Sequence, residues 1–93
     1  MYAVYEREAR KQMALEYLDA LRGKVSKVDL FIVESPALNG YEFDAIETAI
    51  DIANTYGFDI AENLHERARA LIVSEGCDPA GFDAMLADAP SRS

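Results

Sequence analysis

Residues 39–57 read NGYEFDAIETAIDIANTYG, and the periodicity of this stretch decides the fold class. At 100° per residue, Phe43, Ile46, Ala49, Ile50, Ala53 and Tyr56 gather on one wide apolar side, while Asp44, Glu47 and Asp51 line the opposite one. The stretch predicts a helix with one core face and one carboxylate face. Asn39 and Glu42 have the spacing of a reciprocal N-terminal cap, which places the helix start at Gly40 or Tyr41. Gly57, a residue tolerant of left-handed geometry, ends it.

Toward the C-terminus, Asp59 and Glu62 repeat the cap spacing. Ile60, Leu64, Ala68, Leu71 and Ile72 then form the apolar stripe of another long helix that stops at Gly76. Asp78-Pro79 is a further start signal, with proline at the first helical position, and Phe82, Met85 and Leu86 give a short last helix its inward face. Toward the N-terminus, Tyr2 to Arg22 is rich in helix formers. Met13, Ala14, Tyr17, Leu18 and Leu21 recur there at the spacing of a buried helical stripe, with Gly23 as the stop. Its opening YAVY also alternates as a short strand would, but a strand needs a partner. The one candidate is Val25 to Glu34, whose VDLFIV run fits a buried helix or a strand. Ser26 followed by Asp29 favours a helix start, Val and Ile favour a strand, and we read a short buried helix because all that follows is helical. Ser35-Pro36 is expected to end or kink it, since the residue before proline avoids helical geometry. The chain is thus read as all-α, a compact bundle of four or five helices with a short strand within 25–34 as the alternative. It makes a single helical domain over residues 1–89 and a loose tail over 90–93, without repeats.

Composition agrees with one globular domain: 93 residues, 51% of them hydrophobic. No apolar run approaches the roughly 18 residues of a membrane span, and the charged start MYAVYEREARK has no signal-peptide core behind it, so a cytoplasmic location is expected. The one cysteine, Cys77, reads as a small buried hydrophobe more readily than as a nucleophile, for no activating base neighbours it. Net charge is -8, and its distribution is uneven. Residues 1–28 hold six basic side chains against four acids, whereas the segment from Asp29 to Glu66 holds nine acids and no Lys or Arg. Such a field repels nucleic acid and anionic membranes and attracts basic surfaces.

Motifs with catalytic chemistry are incomplete. Glu62 and His65 stand in the Glu-x-x-His arrangement of helical di-iron sites, but a second copy is required and the chain has one histidine. His65-Glu66 begins the zinc-protease pattern, and Arg69 occupies the place of its second histidine. His65 is expected at the edge of an apolar face, partly solvated. Glu47 with Asp51, and Glu62 with Glu66, are carboxylates four apart that in principle share Mg²⁺ above a phosphate. All-helical nucleotide pyrophosphohydrolases of the MazG type use paired acidic motifs of this general kind. That family's Glu-Glu-x-x-Glu motif is absent, and Glu-x-x-Asp occurs only as Glu75 to Asp78, across the break at Gly76. No glycine-rich phosphate loop exists, and Tyr2, Tyr5, Tyr17, Tyr41 and Tyr56 read mostly as core or rim.

We therefore read a non-enzymatic protein with no metal or cofactor, in which the acidic surface is the functional feature. Carboxylates three and four apart on a helix lie about 5 to 6 Å from one another, similar to successive phosphates of a nucleic-acid strand. Asp44, Glu47 and Asp51 are expected to enter a basic groove of a nucleic-acid-binding protein complex, with Glu42, Glu62 and Glu66 extending the patch. In size and charge the chain resembles the small acidic inhibitors of phages and mobile elements, anti-restriction and anti-CRISPR proteins among them. An alternative is a helical homodimer or small-ligand-binding regulatory module that recognises through apolar surface. A more remote one is a Mg²⁺-dependent nucleotide pyrophosphohydrolase.

Overall fold

The computed structural model describes the backbone of residues 2–91 and the side chains of residues 7–91. Five α-helices follow one another: α1 (Tyr2–Leu21), α2 (Lys27–Leu38), α3 (Glu42–Tyr56), α4 (Glu62–Ser74) and α5 (Ala80–Ala87). The all-α class read from periodicity holds, and among the described residues there is no strand. YAVY is the first turn of α1, and Val25 to Glu34 contributes most of α2. The chain divides into two compact units, Met1–Ala49 and Ile50–Ser93.

In the first unit α1 packs on α2. Met13, Ala14, Tyr17, Leu18 and Leu21 are all buried, as their spacing predicts, and are joined in the buried set by Val33 and Ala37 of α2 and by Ala45, Ile46 and Ala49 of α3. Each large member of this set contributes roughly 1.5–3 kcal/mol through removal of apolar surface from water. α2 starts where the cap signal places it: the Ser26 hydroxyl accepts the Asp29 N–H at 3.2 Å and donates to the Asp29 carboxylate at 3.0 Å. Two expectations for α2 are corrected. The helix does not end at Ser35-Pro36 but runs through Pro36 to Leu38, because in the last turn the missing proline N–H withdraws a donor only from the carbonyl of Ile32, an exposed position. The apolar VDLFIV run is also buried on one side only, for Val28 is 70%, Phe31 65% and Ile32 47% exposed.

Asn39 does not cap α3. It is the C-cap of α2: its side-chain amide donates to the Ser35 carbonyl at 2.6 Å, and its backbone N–H reaches the Pro36 carbonyl at 3.2 Å. Gly40 follows with φ +86°, and the Tyr41 N–H returns to the same Pro36 carbonyl at 2.9 Å. This is the six-to-one bond of a Schellman stop, so the turn between α2 and α3 is shaped by the helix it closes rather than the one it opens. α3 begins at Glu42, with the Tyr41 carbonyl accepting from Ala45 N–H at 3.0 Å.

The second unit buries Ile50 and Ala53 of α3, Ile60, and Leu64, Ala68 and Ile72 of α4 together with Phe82 and Leu86 of α5. α3 and α4 close with the same glycine device. Phe58 N–H bonds the Ala53 carbonyl at 3.1 Å across Gly57, and Cys77 N–H bonds the Ile72 carbonyl at 3.1 Å across Gly76. Asp59 does not cap α4; the N-cap position is Ala61, which makes no side-chain bond, and the Asp59 carboxylate instead accepts the Ser91 N–H at 3.4 Å. Before α5, Asp78 accepts the Ala80 N–H at 2.9 Å, with Pro79 at the N-cap rather than inside the helix.

Candidate functional site

α3 is the element with the clearest division of labour. Ala45, Ile46, Ala49, Ile50 and Ala53 are buried, whereas Asp44, Glu47 and Asp51 are exposed. The buried face differs slightly from the expected one: Ala45 joins it, Phe43 is half-buried and Tyr56 is exposed. The first turn of the helix buries positions 42, 45 and 46 together. Asp44, Glu47 and Asp51 recur at i, i+3 and i+7 along this one helix, and none has an ion-pair partner among the described residues. Asp44 also stands in the first turn, where a carboxylate is favoured by the unpaired N–H groups of the helix end.

Glu42 leaves the patch assigned to it. It is only 4% exposed, and Arg10 Nε approaches its Oε1 at 3.6 Å. A carboxylate buried against a cation from the first helix is a structural ion pair, and it cannot offer its charge to an outside partner. Glu62 and Glu66 are exposed four residues apart on α4. They belong to the second unit, as do the two polar contacts that tie α4 to α5. Arg69 grips Asp83 with two hydrogen bonds, 2.9 Å from Nε and 3.0 Å from the terminal guanidinium nitrogen. These hydrogen bonds, with the positive charge behind them, hold the Asp83 carboxyl below the usual carboxylate range and the Arg69 guanidinium above its own.

His65 is buried, 6% exposed, with its ring edge-to-face on Phe82 at 6.2 Å between centroids. The partly solvated position expected of it is thus corrected, because α5 covers the α4 face on which it lies. Beside it, Asp59, Ile60, Glu62, Leu86 and Ser91 line an open cleft of about 310 Å³. Among the described residues no three His, Cys, Asp or Glu side chains are placed to hold a metal ion. Cys77 is exposed rather than buried, since its place just beyond the Gly76 stop turns it away from the apolar side of α4. Tyr17 is core, while Tyr41 and Tyr56 are exposed; Tyr2 and Tyr5 lie outside the described side chains. Among the described residues no helix is long and apolar enough to cross a membrane.

No family model, curated protein or solved structure matches the chain. The exposed carboxylates of α3 therefore stand on their own physical chemistry. Sequence reasoning found Asp44, Glu47 and Asp51 by periodicity. It missed the exposed apolar side of α2, whose signal was present: a VDLFIV helix is apolar on nearly every side but that of Asp29, and more than one neighbour is needed to bury it.

Proposed function

We propose that this protein is a non-enzymatic inhibitor or regulator that docks the carboxylate side of α3 onto a basic surface, most concretely the nucleic-acid-binding groove of a protein complex. The observation that supports this reading is the exposure of Asp44, Glu47 and Asp51 without neutralising cations among the described residues, on a helix whose other side is buried. A helix anchored in this way presents fixed charges at little cost in ordering, and fixed charges are what a groove shaped for a phosphate chain selects. Competitive occupation of such a groove needs no catalytic group. Glu62 and Glu66, exposed on α4 in the second unit, are secondary candidates for contact with a basic surface, and Glu42 is not a candidate.

The test is capture from a nuclease-treated extract of the native host, followed by competition for the captured complex with labelled nucleic acid. The wild-type protein should retain a cationic nucleic-acid-binding partner and displace its ligand. The triple variant Asp44→Lys, Glu47→Lys, Asp51→Lys should lose both activities while its far-UV circular dichroism stays helical. Undiminished capture by that variant would remove the α3 carboxylates from the mechanism.

A further inference from the structure

On a helical projection of α2, Val33 and Ala37, both buried, lie on one side with the half-buried Leu30. Val28, Phe31 and Ile32 lie on the other, all three largely exposed, with Ser35 continuing the row one turn on. Exposed apolar residues scattered singly carry no message, but three at neighbouring positions on one helix face do. The charges beside this row identify what covers it. Lys27 and Glu34 run along the same edge, seven residues apart, so that about 10 Å of helix axis separates them. They are too distant to pair with each other, and among the described residues neither makes an ion pair.

We propose that this face of α2 is the seam of a homodimer in which α2 packs antiparallel on α2 of a second copy about a two-fold axis level with Leu30 and Phe31. A two-fold axis perpendicular to antiparallel helices brings each edge against the same edge of the other copy. Lys27 then meets Glu34 of the second copy, and Glu34 meets its Lys27. In the same register Val28 lies beside Ile32 of the second copy, and the two Phe31 rings meet at the axis. A parallel pairing, related by an axis along the helices, sets the Lys27–Glu34 edge of one copy against the opposite edge of the other, so only the antiparallel arrangement forms both charge pairs. A wholly basic or wholly acidic partner would satisfy one of these charges and oppose the other. The six basic residues before Asp29 all lie in this N-terminal unit, which tempers repulsion between two acidic copies.

Sedimentation equilibrium at low ionic strength tests the seam without reference to any other partner. The wild-type protein should show concentration-dependent dimers, and Phe31→Ser should weaken association by more than about tenfold. Lys27→Glu and Glu34→Lys should each weaken self-association about fivefold, since each sets like charges across the axis. An equimolar mixture of these two variants should recover association, because both pairs in the mixed dimer are again of opposite sign. All are exposed or half-buried positions, and unchanged circular dichroism verifies that each variant folds. A wild-type protein that stays monomeric, or a mixture that fails to recover, would overturn the proposal. The triple α3 reversal should leave dimerisation intact, so failure here and failure of the docking reading are told apart.

Discussion

Asp83 releases its proton more readily than an ordinary aspartate because the Arg69 guanidinium hydrogen-bonds its charged form. Folding therefore depends on pH with a definite sign. Above the unfolded-state value of about 3.9 the carboxylate is charged in both states, and the contribution of the pair is fully present. As pH falls below that value the unfolded chain takes up the proton first, and the contribution disappears as pH passes through the lower folded-state value. Comparison of wild type with Asp83→Asn by denaturant unfolding should show a constant difference at neutral pH that closes below about pH 4. A difference independent of pH would mean that the charge of Asp83 does not matter. Arg69 and Asp83 also show the limit of local reading at this scale. The pair joins residues fourteen apart on separate helices, a separation that no helical periodicity encodes.

Helix ends are the element-scale feature that local chemistry controls most firmly. Gly57 and Gly76 close α3 and α4 at φ +84° and +78°, and a Cβ built on either meets no neighbour within 4 Å. The cost of Gly57→Ala is thus conformational alone, about 1 kcal/mol. Gly81 lies inside α5 with ordinary helical geometry and equally open space, so Gly81→Ala should stabilise by about 0.5–1 kcal/mol. Chemical denaturation of both variants checks the contrast, and effects of the same sign would refute it. These stops were legible in the sequence because each needs one residue with an unusual φ. Starts were less legible. Ser26 caps α2 as its spacing with Asp29 implies, but Asn39 and Asp59 satisfy the same pattern and bond elsewhere, to Ser35 and Ser91. A cap motif states which bond is available; the path of the neighbouring chain decides whether it is made.

At the scale of the whole molecule the net charge of -8 acts against folding through self-repulsion and in favour of capturing a cationic partner. Salt screens both effects. Added NaCl should raise the thermal midpoint of the isolated protein while weakening capture of its partner, as measured by melting and binding across one salt series; a midpoint that falls with salt would show that attractive pairs such as Arg10–Glu42 dominate instead. The sequence by itself determined the all-α class, the approximate extent of α1, α3, α4 and α5, the glycine stops of α1, α3 and α4, the buried stripe of α1 and the exposed row Asp44, Glu47 and Asp51. All of these follow from side-chain period and backbone preference within a few residues. Only the tertiary structure decided that Glu42 is buried against Arg10, that His65 lies under Phe82 and that α2 leaves Val28, Phe31 and Ile32 in water. The physical reason is that period fixes which side chains share a face, whereas burial depends on whether another part of the chain comes to lie on that face.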